Sequence, residues 1–193
     1  IGIDNGNGWF LTERVPDHGY GAKHQVRYWL DLVGRLGANT ADRPQQIVQS
    51  NYDLPAHDGL RVVIHAGSGG YSLARRWEPE KFAVVADRLI AQKKAQVILV
   101  GGKNDDVMAV KTAMQHTPVD LSSKTTLSEL AGVIAQCDLY IGADSGVSHI
   151  AASVDVPVVA IFGPSNHDAW SPWGEQVTIV RSAPLCSPCS YVG

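Results

Sequence analysis

From Arg61 onward the chain alternates short, wholly apolar runs with longer stretches in which apolar residues return every three or four positions. Arg61–Ala66, Val97–Val100, Leu139–Ile141 and Val158–Phe162 are continuous rather than alternating in polarity. That pattern predicts strands covered on both faces. Val119–Leu121 predicts a further brief strand, and Val177–Val180 a last one. Between the runs, Pro79 opens a helix at its first turn, with Phe82, Val85, Ala86, Leu89 and Ile90 as its buried stripe. Asp105–Gln115 reads as helical. Thr126-Leu127-Ser128-Glu129 matches a capping box and opens a helix to about Gln136. A helix rich in small residues follows Ser145. Upstream the signal is weaker. Residues 1–22 are glycine-rich and read as a loop or linker. Val26, Trp29, Leu30, Val33 and Leu36 fall at helical spacing between Lys23 and Leu36, with Gly37 as the stop. Residues 38–59 are polar and contain prolines, which predicts irregular chain.

Strand and helix in alternation imply an α/β fold: a Rossmann-like parallel sheet with helices on both faces. The compact part spans residues 60–193, and residues 1–59 are expected to be the end of a preceding domain, a linker and a bridging helix. In such sheets ligands bind outside the carboxyl ends of the strands. Here those ends are glycine-rich: Gly67–Gly70, Gly101-Gly102, Gly142–Gly146 and Gly163-Pro164.

Composition narrows the function classes. The chain has 193 residues, 45% hydrophobic and 18% charged, with a formal net charge of −3. That is ordinary for a soluble domain and offers no basic field for nucleic acid. No apolar run reaches the roughly 18 residues that span a bilayer, and no signal peptide is expected. The chain begins without Met at a strand-like Ile1-Gly2-Ile3-Asp4, so it is expected to be a piece of a longer protein. Cys137, Cys186 and Cys189 make no disulfide framework. Cys137 reads as a small buried residue. Cys186-Ser187-Pro188-Cys189 is a loose structural pair, half of a metal site or a redox motif.

The candidate chemistry sits at the strand ends. Leu139–Ile141 runs into Gly142-Ala143-Asp144-Ser145-Gly146, a strand–turn–helix step whose unpartnered amides and dipole favour an anion. Ser145 is placed as N-cap, and His149 lies one turn on, on the same face. The plain alternative is that Ser145 only caps, Asp144 suits the dipole and His149 is a core histidine. The loop from His65 to Trp77 brings Gly67 and Ser68 near Arg75 and Arg76, a turn and a cation suited to phosphate; a solvated surface pair is the alternative. Asp105 and Asp106 follow Gly101-Gly102 and either meet ribose hydroxyls or occupy a helix's first turn. There is no Walker loop, no complete GxGxxG and no GxSxG elbow, because Ser145 sits in GADSG. Nor is there a DxD pair for a metal on a diphosphate, so nucleotide-sugar chemistry here is expected to be metal-independent, with no cofactor.

Taken in order, HAGS…ARRW, LVGG, KTTLSELAGVIAQCDLYIGADSGVSHIAA and VPVVAIFGPS resemble glycosyltransferase family 9, the ADP-heptose:lipopolysaccharide heptosyltransferases. The resemblance covers roughly residues 60–190. It implies the C-terminal half of a GT-B glycosyltransferase: the donor-binding domain of an inverting enzyme that moves heptose from ADP-heptose to a lipid-linked glycan of the lipopolysaccharide type. By the same resemblance Gly67 and Ser68 match the turn on the donor diphosphate, and Arg75 stands where the family commonly has a phosphate-binding Lys. Asp105 matches a ribose-contacting acid and Thr125 a position beside the base. Asp144, Ser145, Gly146 and His149 match the donor motif. The family's general base belongs to the N-terminal acceptor domain, so this fragment is expected to bind donor and transfer nothing alone. The implied location is cytoplasmic, with peripheral contact at the inner face of the inner membrane. The competing readings are a non-catalytic nucleotide-binding module and another GT-B enzyme using a UDP-sugar.

Overall fold

The computed structural model describes residues 1–189 except 5, 7, 18, 20, 21, 42–45 and 71. Tyr71, within the proposed phosphate loop, therefore lies outside the described residues. Six strands form one parallel sheet: β3 (Arg61–His65), β4 (Gln96–Leu99), β5 (Val119–Asp120), β6 (Leu139–Ala143), β7 (Val158–Phe162) and β8 (Val177–Arg181), in the order β5-β4-β3-β6-β7-β8. Every neighbouring pair runs parallel, with His65 opposite Gly142 at the edge where β3 meets β6. This is the doubly wound order, and the direction of winding reverses between β3 and β6.

Alternate residues of each strand serve opposite layers, which is why the strands read as unbroken apolar runs. Val63, Ile98, Tyr140, Val158 and Ala160 face α4 (Leu127–Ile134) and α5 (Gly146–Ser153). Val62, Ile64, Val97, Leu99 and Ile141 face α2 (Pro79–Lys93) and α3 (Val107–Ala113). Pro79 stands in the first turn of α2, and Lys94 closes that helix at φ 53 with its amide on Ile90 O. The capping box of α4 is complete in both directions between Thr126 and Glu129. The stretch from residue 46 to 60 has no regular structure yet lies as a strap along α4. Ser50 N–H donates to Ser128 O at 3.0 Å, Gln136 Nε2 donates to Tyr52 O at 3.0 Å, and Tyr52 and Leu54 pack on the core.

Two sequence expectations change. Residues 1–22 are not all loop: the strand-like start forms β1 (Gly2–Asp4), which pairs in parallel with β2 (Arg14–Pro16) as a separate two-stranded sheet. The Asp4 carboxylate organises the turn between them, accepting from the Gly6 and Gly8 amides and from Arg14, a side-chain role that apolar periodicity does not register. The first helix, α1 (Gln25–Gly34), lies where the spacing predicts one, with Trp29, Val33 and Leu36 exposed. Instead Tyr28 faces inward, its hydroxyl bonded to Asp17 Oδ1 and Gly19 O at 3.2 Å. Helical spacing identifies a face, not the surface that covers it. A short α6 (His167–Trp170) was not foreseen; the Asn166 side chain starts it by accepting from Asp168 N and Ala169 N.

Three contacts tie α1 to the sheet layer. His24 Nε2 lies 2.8 Å from Ser171 O, just after α6, and the His24 ring packs on Trp173 at 4.7 Å between centroids. Arg27 adds its guanidinium over the same indole at 4.9 Å. No helix among the described residues is long and apolar enough to cross a membrane.

A polar cleft at the reversal of winding

A cleft of about 740 Å³ opens where β3 and β6 end, at the point expected for a ligand in this topology. Ser68, Arg75, Asp105, Asp144, Ser145, Gly146 and His149 line it, together with His65, Leu127, Ser165 and Trp170. Gly67 and Thr125 are not among its lining residues. Gly67 sits behind the wall, where any Cβ would overlap the Asp105 carboxylate. The bare backbone lets that acid close over the strand end. Thr125 is half-buried just before the cap of α4, and its neighbour Leu127 reaches the cleft instead.

The loop after β3 presents one cation and spends the other internally. Arg76 bonds Ser68 Oγ, Gly69 O and Asn104 O and pairs with Asp106 at 2.9 Å. Arg75 leans into the cleft, held by Ser68 O at 3.1 Å and by Asp144 Oδ2 at 3.5 Å. Asp144 is buried and also accepts from Ser165 Oγ at 2.5 Å. Its evident work is to fix the Arg75 fork, with Ser165 helping. The turn at Leu73–Arg75 can come this close because Gly163, at the end of β7, has no Cβ to strike Ala74 O.

At the start of α5, Ser145 holds the N-cap position but makes no side-chain capping bond. Its hydroxyl instead lies 3.2 Å from His65 Nδ1, while the N3 amide of Ser148 is met by Ser145 O. The start of α5 therefore turns its positive polarity toward the cleft with no capping bond from the Ser145 side chain, and the Asp144 carboxylate stands in the residue before it. Asp105 precedes α3 rather than joining it. Its Oδ2 accepts from Gly102 N at 2.7 Å and faces His65 Nε2 at 3.2 Å, which is why α3 begins two residues later than its sequence suggests. The His65 hydrogen bond, opposed by burial and aided by the Gly102 amide, holds the Asp105 carboxyl at about 2. Burial lowers His149 from the usual histidine range, with Asp144 opposing.

Sequence reasoning missed His65, Ser165, Trp170 and Leu127. A signal existed for the first: a histidine ending an apolar strand must find polar partners when buried. Trp170 belongs to α6, which apolar periodicity does not reveal. Among the described residues no group of His, Cys, Asp or Glu is arranged to hold a metal ion. Cys186 and Cys189 are free thiols that do not line the cleft, although Cys189 N donates to Pro164 O at 2.7 Å beside Ser165, and Cys137 is buried with its thiol pushed up to about 12 by burial.

Comparison with known proteins is consistent across sequence and structure. The family model described as "Glycosyltransferase family 9 (heptosyltransferase)" matches residues 10–192. Lipopolysaccharide heptosyltransferase 3 of Escherichia coli is 36% identical over 130 residues, covering 61% of this chain and 38% of that protein. The structure of E. coli ADP-heptose lps heptosyltransferase II superposes at a TM-score of 0.61 with 26% identity, over 66% of this chain and 40% of that one. A family 9 glycosyl transferase from Veillonella parvula DSM 2008 shares the fold at a TM-score of 0.73 with 23% identity, over 90% of this chain and 53% of that one. The chain thus spans well under two thirds of each relative's length.

Proposed function

The chain belongs to glycosyltransferase family 9, and from that membership we propose that it forms the donor-binding part of an inverting, metal-independent enzyme that moves heptose from ADP-heptose to a lipid-linked glycan of the lipopolysaccharide type. Residues 60–193 are the donor domain in this reading. Residues 1–59 carry the end of the acceptor domain and the bridge. The observation that carries the proposal is the pairing of Arg75 with the uncapped start of α5 across one cleft. Both polarise the same space positively, as a pyrophosphate leaving group requires.

The remaining lining fits the rest of a nucleotide sugar. Leu127 and Trp170 offer apolar surface for the adenine, and Asp105 lies deep enough to meet ribose hydroxyls. His149 donates to an anionic oxygen. Charge on the departing diphosphate is met by a guanidinium and helix amides, so a bridging cation has no necessary part. Neither buried carboxylate is placed as a nucleophile: Asp144 is tied to Arg75 and Ser165, and Asp105 to His65 and Gly102. That supports a single displacement, in which a base outside this chain deprotonates the acceptor hydroxyl for in-line attack on the anomeric carbon. The enzyme works at the cytoplasmic face of the inner membrane, where its acceptor is anchored.

Calorimetric titration with ADP, UDP and adenosine tests the assignment. ADP is expected to bind more tightly than UDP. Arg75→Ala should weaken ADP by about 1–3 kcal/mol, the scale of a charge-assisted hydrogen bond, and leave adenosine nearly unchanged. Equal losses for both ligands would remove the phosphate role, and a preference for UDP would remove the ADP-heptose donor.

A further inference from the structure

Three side chains at the bottom of the cleft form a continuous chain: Asp105 Oδ2 to His65 Nε2 at 3.2 Å, then His65 Nδ1 to Ser145 Oγ at 3.2 Å. The His65 and Ser145 residues are buried, and the Asp105 side chain is 11% exposed. The proposed donor role uses Ser145 but not His65. We propose that Asp105 and His65 are a positioning pair that sets the direction of the Ser145 hydroxyl: toward the ring when His65 is neutral, and into the cleft as a donor to the pyrophosphate when His65 is protonated. This rests on the donor-site reading and adds a proton to it.

The logic is one of hydrogen-bond polarity. An ionised Asp105 only accepts, so His65 carries a hydrogen on Nε2. A neutral ring then has a lone pair at Nδ1, and the Ser145 O–H donates to it. The serine lone pairs face the cleft in that state, which suits a hydroxyl and repels a phosphate oxygen. A second proton, taken from solvent at Nδ1, reverses the bond. His65 now donates to Ser145 Oγ, and the serine hydrogen turns to the cleft beside the start of α5. The one bond made is Nδ1–H, its proton given up by solvent, so one proton is taken up with the ligand.

Asp105 is the charged group in contact with the ring, while Arg75 pairs with Asp144 and Arg76 with Asp106. An incoming diphosphate adds anionic charge beside this chain. Tyr140 is fully buried beside Ser145 and contributes no charge, because burial raises its phenol further above its usual value. His149, lowered by burial, is neutral in the free protein at pH 7.

The test follows the affinity of the full chain for ADP between pH 6 and 9, in the wild type and in Ser145→Ala, His65→Asn and His149→Gln. Titration of the nucleotide's own phosphate is common to all four and cancels. Wild type is expected to lose up to about tenfold in affinity per pH unit beyond that shared slope, the limit for one linked proton. His149→Gln should keep this extra slope, whereas Ser145→Ala and His65→Asn should flatten it. Nitrogen-15 shifts of the His65 ring should show the Nε2–H tautomer in the free protein at pH 8 and both nitrogens protonated in the complex. An unchanged slope in Ser145→Ala, or an Nδ1–H tautomer in the free protein, would overturn the switch while leaving the donor site standing. Failure of the wild type to bind ADP at any pH would remove the donor reading and the switch with it.

Discussion

Gly67 shows how a residue can shape a site without touching its contents. Any side chain there would collide with Asp105, whose carboxylate is held by Gly102 and His65. Gly67→Ala is expected to cost about 1–3 kcal/mol, the range for overpacking, and to weaken ADP binding by displacing Asp105. Thermal melts and calorimetry on one sample would show both losses; a melting temperature equal to wild type would mean that Asp105 is not seated there. His149 gives the opposite test. It is partly buried along the cleft rather than locked in the core, so His149→Ala should weaken ADP binding with little change in melting temperature, whereas marked unfolding would restore it to a core role. At this scale the sequence was legible as to position: Arg75, Asp144 and His149 line the cleft. It was opaque where the role depends on a distant partner. Ser165 matters because it meets Asp144, and His65 because it joins Asp105 to Ser145; neither link has a signature in linear spacing.

The elements of the sheet and its covering helices were readable because each solves its own burial problem locally. Continuous apolar runs gave β3, β4, β6 and β7 to within a residue or two, and Pro79 and the Thr126–Glu129 box marked the helix starts. Thr126→Ala should cost about 1 kcal/mol, the usual loss of an N-cap side chain, readable as a shift in urea midpoint without a change in slope. Elements made by polar contacts were missed: β2, paired with the strand-like start around Asp4, and α6 on Asn166. The strap along α4 shows the same limit. Gly132 lies inside a helix, where replacing Gly by Ala ordinarily gains about 1 kcal/mol. Here the new methyl would overlap Ser50 O. Gly132→Ala is therefore expected to destabilise by about 1–3 kcal/mol and to expose residues 46–60 to protease. A rise in stability would show that the strap does not rest on the helix.

For the molecule as a whole, three titrating groups push stability the same way. Asp105 and Asp120 both titrate at about 2 in the fold against 3.8 in a model peptide. Burial works against Asp120, but Lys111 and Ser122 outweigh it. Between those two values the unfolded chain binds more protons, so each contribution is complete above pH 3.8 and is lost as pH falls toward 2. Each is on the order of 1–2 kcal/mol. His149, lowered by burial, begins the same loss below its ordinary 6.5, where the unfolded histidine charges first. Denaturant melts should thus show a gentle decline below pH 6.5 and a steep one below 3.8. A stability maximum in acid would contradict this picture. Saturating ADP, at a hundred times its dissociation constant, should add about 2.7 kcal/mol by mass action.

The clasp of His24 on Ser171 and Trp173 has a mechanical reach. Ser171 directly follows Trp170, so the carbonyl that anchors α1 is the next link in the backbone after a wall of the cleft. A tug on the amino-terminal segment is thereby delivered to the indole that would lie against the ligand, and a ligand wedged against that indole pushes back along the same lever.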